Sequence, residues 1–165
     1  MIINIFSYKK AKEIISLEEY KRNWISIRDY GYEYLYSDLD NNGENILKIY
    51  FDDVTNFNIK HDLIHPIYKE IVKNRNFILF SNEQANQILD FAHKIYKSKD
   101  ILNIHCWAGK SRSQAIGYVL NNYFNLFLEN NKIDYIRNLE QCSRNFMPNP
   151  DVLKILNQTL YFIKD

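Results

Sequence analysis

Four short runs rich in isoleucine recur along the chain, and polar residues flank each of them. They occupy residues 2–6, 24–28, 46–51 and 101–105. Apolar or alternating runs of this length predict β-strands. A fifth apolar run, residues 77–80, fits a further strand and an apolar loop equally well.

Between these runs, apolar residues recur at helical spacing. A first group, Ala11, Ile14 and Ile15, follows the first predicted strand. A longer group begins after Ser81, which has Gln84 three residues later, the spacing of a capping box at a helix start. The apolar positions of that second helix are Ile88, Phe91, Ala92 and Ile95.

The last third of the chain has helical spacing almost throughout. Its apolar residues predict three helices, at residues 116–127, 133–146 and 152–163. The sequence Met-Pro-Asn-Pro at 147–150 separates the last two, because a residue that precedes proline disfavours the helical conformation. Upstream, the sequence Asp-Asn-Asn-Gly at 40–43 predicts a turn before the third strand.

Strands that alternate with helices predict an α/β fold, with a central, mostly parallel sheet of four to five strands flanked by helices. The 165 residues contain no internal repeat and no Pro- or Gly-rich boundary. We therefore expect a single domain over residues 1–165.

Composition and charge exclude several classes of function. Lys and Arg total 21 against 20 for Asp and Glu, and the two signs are interleaved, which argues against a protein that coats nucleic acid or binds membranes through basic clusters. The chain lacks a secretory signal pattern and an apolar run of about 18 residues, so we expect a cytoplasmic protein with no membrane span. Two cysteines, Cys106 and Cys142, exclude a disulfide framework and a four-cysteine zinc cluster, and they suit a reducing compartment.

The histidines His61, His65 and His93 lack the spacing of metal ligands, so the sequence predicts no metal and no cofactor. Cys142 lies on the apolar stripe of the helix predicted at 133–146, which favours a core position over a reversible disulfide with Cys106.

Residues 101–115 carry the most informative pattern, an apolar strand that ends at Cys106 and leads through a loop into a helix. A loop in this position turns backbone N–H groups inward, and the helix N-terminus adds positive potential, so the loop favours an anion. Gly109 lets the loop curl, and Arg112, separated from the cysteine by five residues, can bind two oxygens of a phosphate. The same field stabilises a thiolate, which makes Cys106 the predicted nucleophile.

Neighbouring residues complete this predicted site. Ser113 can donate its hydroxyl to the sulfur when a phosphoenzyme is hydrolysed, and His105 is placed to hold the loop by hydrogen bonding rather than to exchange protons. Lys110 fits two interpretations equally well, a cation that adds positive potential to the loop and a solvated surface side chain. Trp107 can line the pocket or pack beneath it, and we expect core packing. The residues predicted to contact the substrate are Trp107, Ala108, Gly109, Lys110 and Ser111.

The sequence of residues 105–113, His-Cys-Trp-Ala-Gly-Lys-Ser-Arg-Ser, resembles the His-Cys-x5-Arg-Ser/Thr signature of the cysteine-dependent protein phosphatases, and its ending looks like the dual-specificity branch. A weaker resemblance to a compact bacterial and viral group of tyrosine-phosphatase-like proteins covers residues 24–29, 51–53 and 148–150. The resemblance implies one phosphatase-like domain that hydrolyses phosphomonoesters through a phosphocysteine, with phosphotyrosine in protein as the first-choice substrate.

Other activities stay open at this point. Related enzymes hydrolyse phosphoinositides, which Ala-Gly-Lys at 108–110 resembles, or RNA 5′-phosphates, although the near-neutral charge makes nucleic acid a poor partner. A phosphopeptide-binding pseudophosphatase would keep the loop without efficient chemistry. A sulfur-transferring loop of the rhodanese kind also places a cysteine ahead of an arginine, but the five-residue interval suits a tetrahedral phosphate better.

The family takes its general acid from a separate upstream loop, and an acid of this kind typically accelerates the reaction by about 10²- to 10⁴-fold. Asp53, with Asp52 beside it, follows the third strand and so lies at the same sheet edge as Cys106. We prefer Asp53 because it begins a segment that looks like the Asp-x-x-x-Phe-Asn of some dual-specificity enzymes. Asp62 and Asp90 are closer to the cysteine in sequence and remain alternatives, although Asp90 has the pattern of a solvated helix residue.

The resemblance has one departure. The interval from Asp53 to Cys106 is longer than is usual in the compact enzymes, because the region of residues 59–80 contains more residues. The sequence does not assign a role to that region.

Overall fold

The computed structural model describes residues 1–64, 66–71, 76–127 and 147–162. Their strands form one four-stranded sheet of order β1-β4-β2-β3, in which every neighbouring pair is parallel. The strands are β1 (Ile2–Ser7), β2 (Arg22–Arg28), β3 (Glu44–Tyr50) and β4 (Ile101–Cys106). The four isoleucine-rich runs are thus confirmed as strands, and so is the predicted α/β fold with its parallel sheet.

Helices of the described residues flank this sheet. They are α1 (Tyr8–Ile14), α2 (Ser37–Asn42), α3 (Asn56–Lys60), α4 (Pro66–Ile71), α5 (Asn82–Ser98), α6 (Arg112–Phe127) and α7 (Pro150–Phe162), with short 3₁₀ helices at Glu18–Tyr20 and Glu33–Tyr36. The predicted capping box is present at the start of α5, where Ser81 and Gln84 each bond the other's backbone N–H. The helix predicted at 133–146, and with it Cys142, lies outside the described residues.

Two local predictions meet a clear outcome. The turn predicted at 40–43 is wrong, because its first three residues complete α2 and Gly43 follows as the cap. This helix forms because Leu39 is buried and because Asp40 accepts two hydrogen bonds from the Arg28 guanidinium. The apolar run at 77–80 is not a strand.

The segment around Ile78 nevertheless runs beside the end of β3. Its carbonyl accepts a hydrogen bond from the Asp52 N–H at 2.8 Å, and its own N–H donates to the Asp52 side chain at 2.9 Å. These two bonds take the place of a strand ladder and hold the chain that leads into α5.

Apolar side chains cover both faces of the sheet, because successive residues of a strand point to opposite sides. From β2, Ile25 and Ile27 enter the larger core beneath α5, α6 and α7, whereas Trp24 enters a second cluster with α1 and α2. Among the described residues, no helix is both long enough and apolar enough to cross a membrane.

The parallel arrangement brings the carboxyl ends of all four strands to one edge. Tyr8, Asp29, Asp53 and the loop that begins at Cys106 follow β1, β2, β3 and β4 at that edge. In open parallel sheets, ligands bind outside the carboxyl ends of the strands. This edge therefore contains the candidate site.

Candidate functional site

The loop between β4 and α6 packs directly against the end of β1. Gly109 has a φ of +70°, and a Cβ atom there would lie 2.7 Å from the Ser7 nitrogen and 2.9 Å from the Phe6 carbonyl oxygen. The Tyr8 N–H donates to the Trp107 carbonyl at 3.1 Å. Glycine is therefore required at position 109 for its backbone conformation and for the close approach of two chain segments.

Cys106 ends β4 and lies buried beneath this loop. Its Sγ is 3.2 Å from the Oγ of Ser113, a buried residue in the first turn of α6. The N-terminal end of a helix carries partial positive charge, which favours an anion. The sulfur thus lies within hydrogen-bonding distance of the Ser113 hydroxyl, at the N-terminal end of α6.

Arg112 begins α6, and its side chain is only 1% exposed. Its Nη1 donates to the Asp29 carboxylate at 2.8 Å and to the Phe51 carbonyl at 2.7 Å. Its Nε lies 3.7 Å from Oδ2 of Asp53. Contacts from the ends of β2 and β3 therefore fix the orientation of the guanidinium at the sheet edge.

The structure separates the two neighbouring aspartates. Asp52 is buried and bonds the Ile78 backbone, so it secures the chain behind β3. Asp53 turns the other way, and its Oδ1 accepts hydrogen bonds from the Ser111 hydroxyl at 2.7 Å and from the Asn149 amide at 3.1 Å. Of this pair, Asp53 faces the loop.

The two more distant aspartates do not join this cluster. The side chain of Asp62 is 82% exposed and pairs with Lys69. Asp90 is exposed on α5.

Trp107 corrects a prediction. Its residue surface is 51% exposed, and its ring stacks on Tyr8 with 5.4 Å between centroids and 15° between planes. The expectation of core packing was wrong, because the loop carries the indole away from the sheet interior and onto the residue that follows β1.

Lys110 is exposed and borders an open cavity of about 430 Å³ beside the loop. The cavity lining combines polar side chains with apolar ones, and it includes the candidate acid. Its lining residues are Asp53, Thr55, Asn58, Lys110, Ser111, Met147, Pro148, Asn149 and Pro150.

Behind the loop, the side chains of His105, Ser26, Arg28 and Asp40 are connected by hydrogen bonds, and we call this group the His105 network. His105 Nε2 is 2.7 Å from Ser26 Oγ, and that oxygen accepts a hydrogen bond from Arg28 Nε at 2.9 Å. The Ser26 hydroxyl therefore joins the imidazole of His105 to the guanidinium of Arg28. Burial, together with the charge of Arg28, lowers the pKa of His105 to about 3, so the ring is neutral at ordinary pH.

Within the His105 network, Asp40 balances the charge of Arg28. Its two terminal nitrogens bond both oxygens of Asp40, which also pairs with Lys48 at 3.0 Å. Burial opposes ionisation of Asp40, but the hydrogen bonds from Arg28 and Lys48 outweigh it and lower the pKa of that carboxyl group.

Three side chains of this edge had no predicted role: Asp29, Arg28 and Asn149. Asp29 follows β2 directly, so the rule that selected Asp53 at the end of β3 would have selected it as well. Asn149 precedes Pro150, an arrangement typical of an N-cap before a proline in the first helical position. Neither pattern indicates which side chain it contacts across the fold.

Comparisons with known proteins support a fold assignment. No protein-family model and no curated protein matches the chain in sequence. The structure is similar to that of PTPMT1 in complex with PI(5)P, with a TM-score of 0.56 and 11% identity over 99% of this chain and 92% of that one. A second PTPMT1 structure gives 0.55 with 14% identity over 99% and 92% of the two chains.

The structure of Tk-PTP in the active form gives a TM-score of 0.52, with 14% identity over 95% of this chain and 88% of that one. PTPMT1 and Tk-PTP are at most 14% identical to this chain, so the likeness is one of fold. The chain has their fold, which confirms the resemblance found in the sequence at the level of architecture.

Proposed function

We propose that this protein is a cysteine-dependent phosphatase that hydrolyses phosphomonoesters, with phosphotyrosine in protein as its first-choice substrate. One observation carries the proposal. Cys106 and Arg112, which lie at the two ends of one loop, share a sheet edge with Asp53, which follows β3. A nucleophile, a phosphate-binding cation and a carboxyl group are the parts that phosphoryl transfer to a thiolate needs.

In the first step, the Cys106 thiolate attacks the phosphorus atom. The bond between phosphorus and the leaving oxygen breaks, its electron pair stays on that oxygen, and the proton of Asp53 neutralises it. Arg112 and the loop N–H groups bind the three other oxygens, where negative charge is greatest.

In the second step, water attacks the phosphocysteine, and the Asp53 carboxylate takes a proton from that water. The sulfur–phosphorus bond breaks, and its electron pair returns to Cys106 as a thiolate that the Ser113 hydroxyl stabilises. Inorganic phosphate leaves, and Asp53 is protonated for the next cycle. These side chains and the attacking water account for every proton and electron pair that moves in the two steps.

Hydrolysis of 4-nitrophenyl phosphate in the presence of a metal chelator tests the mechanism. We expect turnover without added metal, and its loss in Cys106→Ser, because a hydroxyl at neutral pH is a far weaker nucleophile than a thiolate. Cys142→Ser is the matched control and should keep its turnover. Unchanged turnover in Cys106→Ser would refute the proposed mechanism.

The aspartate assignment has its own pair of variants. Asp53→Asn should lower kcat/KM for phenyl phosphate far more than for 4-nitrophenyl phosphate, because a poor leaving group needs the proton. Asp52→Asn should instead lower the free energy of unfolding, since Asp52 bonds the Ile78 backbone. A larger leaving-group effect in Asp52→Asn would reverse the assignment.

A phosphoinositide is the second candidate substrate. Lys110 borders the open cavity beside Asp53, and PTPMT1 has been crystallised with PI(5)P. Phosphate release from a short-chain phosphoinositide and from a phosphotyrosine peptide compares the two candidates directly. A higher kcat/KM for the lipid, selectively lowered in Lys110→Gln, would replace our first choice.

A further inference from the structure

Asn149 connects the start of α7 to the candidate acid. Its side-chain Oδ1 accepts hydrogen bonds from the N–H groups of Asp151 at 3.1 Å and Val152 at 3.2 Å, as an N-cap does. Its Nδ2 donates to Oδ1 of Asp53 at 3.1 Å, and its backbone N–H donates to the Ser111 carbonyl at 3.4 Å. The residue is buried.

The cap fixes which end of the amide faces the acid. Backbone N–H groups only donate, so the two at the start of α7 hold the oxygen end of Asn149, and the nitrogen end must face Asp53. That nitrogen also only donates. Because the Ser111 hydroxyl donates to the same atom at 2.7 Å, Oδ1 of Asp53 receives two hydrogen bonds.

A carboxyl oxygen that accepts from two donors is a poor site for a proton. When Asp53 is in its acid form, the proton therefore belongs on Oδ2. That oxygen is the one 3.7 Å from Nε of Arg112, the side chain that would bind the phosphate. Of the two carboxyl oxygens of Asp53, Oδ2 is thus the one that faces the side chain proposed to bind the phosphate.

The loop that carries Asp53 is also anchored on both sides. Asp52 bonds the Ile78 backbone, and the Asn56 N–H donates to the Asp151 side chain at 2.7 Å. The second of these contacts reaches the same first turn of α7. The position of that helix therefore determines the position of the acid.

We propose that Asn149 is a positioning residue for the general acid, which keeps the transferable proton of Asp53 on Oδ2 and directs it at the leaving oxygen. This inference rests on the proposed function. It assigns to the N-cap of α7 a role in catalysis beyond the stability of the helix.

Two substitutions separate the catalytic role from the helix cap. Asn149→Asp and Asn149→Ser both keep a good N-cap, but the aspartate has no donor and the serine is too short to reach Asp53. In both variants, kcat/KM for phenyl phosphate should fall by about 10- to 100-fold, the scale of a misplaced catalytic group. The value for 4-nitrophenyl phosphate, whose leaving group needs little protonation, should change little.

Ser81→Ala is the matched control, because it removes an N-cap at α5. It should lower the free energy of unfolding without changing the ratio of kcat/KM between the two substrates. Combining Asn149→Asp with Asp53→Asn should add little to the effect of Asp53→Asn alone, because both changes act on one proton transfer.

The inference is supported if the ratio of kcat/KM for phenyl phosphate to kcat/KM for 4-nitrophenyl phosphate falls in both Asn149 variants. It is overturned if the ratio stays at the wild-type value in both, or if only the charged Asn149→Asp lowers it. An unchanged ratio in the Asn149 variants together with a lowered ratio in Asp53→Asn would leave the proposed function standing. Turnover that survives Cys106→Ser would instead remove the proposed function itself.

Discussion

Substitution of Gly109 by alanine tests how closely the loop must approach β1. The new side chain meets two separate penalties, because φ is +70° and because the added Cβ would lie 2.7 to 2.9 Å from backbone atoms of Phe6 and Ser7. A left-handed backbone conformation costs a non-glycine residue about 1 to 2 kcal/mol. Overlap with a packed neighbour costs about 1 to 3 kcal/mol, and backbone atoms of a strand have little freedom to move away.

A second glycine provides the matched control. Gly31 has a φ of +86°, but nothing lies within 4 Å of a Cβ added there, so Gly31→Ala has the conformational penalty without the overlap. We expect Gly31→Ala to lower the free energy of unfolding by about 1 kcal/mol. Gly109→Ala should lower it by about 3 to 4 kcal/mol, which corresponds to about 10 °C in Tm for a chain of this length.

Urea unfolding followed by circular dichroism measures both variants. The inhibition constant of orthophosphate against 4-nitrophenyl phosphate reports on the loop. It should rise in Gly109→Ala, because the added methyl group would displace the loop that is proposed to bind phosphate. If both variants lose the same stability, the end of β1 accommodates a methyl group. The argument from the close approach would then be wrong.

Three further predictions concern the His105 network and the loop between β4 and α6. The pKa of His105 is lowered from 6.5 to about 3, so between these pH values the unfolded chain binds a proton at this residue and the folded chain does not. The free energy of unfolding should therefore fall as the pH falls below 6.5, by about 1.4 kcal/mol per pH unit. Urea unfolding between pH 7.5 and 5, in ~0.5-unit steps, should show this slope in wild type and a shallower one in His105→Gln; equal slopes would contradict it. Ser26→Ala should lower the free energy of unfolding by about 1 to 3 kcal/mol, because His105 and Arg28 lose their shared hydrogen-bond partner. A smaller loss in the same assay would contradict a stabilising role of the His105 network. Trp107→Ala should cost only about 0.5 to 1.5 kcal/mol, the value of an exposed aromatic stack, and a core-sized loss would contradict the exposure seen here.

Much of the architecture was predictable from the sequence because strand formation left a strong local pattern. The isoleucine runs coincide with β1 to β4, and the Ser81 capping box starts α5. The segment 40–43 shows where local pattern fails. Its Asp-Asn-Asn-Gly composition is typical of a turn, but Arg28, a residue distant in sequence, binds Asp40 and stabilises a helix there instead.

The candidate site divides in the same way. Cys106, Gly109 and Arg112 belong to one loop, so their spacing along the chain already contains their geometry. The choice between Asp52 and Asp53 depended on which way two adjacent side chains turn after β3, and pattern alone supplied only a preference. The partners of Arg112 and Asp53, which are Asp29 and Asn149, come from other parts of the chain and left no signal in the spacing.

The strand order has a consequence for how the protein is assembled during synthesis. β4 is the last strand of this sheet along the chain, yet it lies between β1 and β2. A growing chain can pair β2 with β3 early, but β1 waits for its neighbour until residues 101–106 have been made, and such long-range parallel pairing is intrinsically slow. The strand that ends in Cys106 therefore completes the sheet, so the loop after Cys106 takes its place only when β1 and the segment that carries Asp53 have already been made.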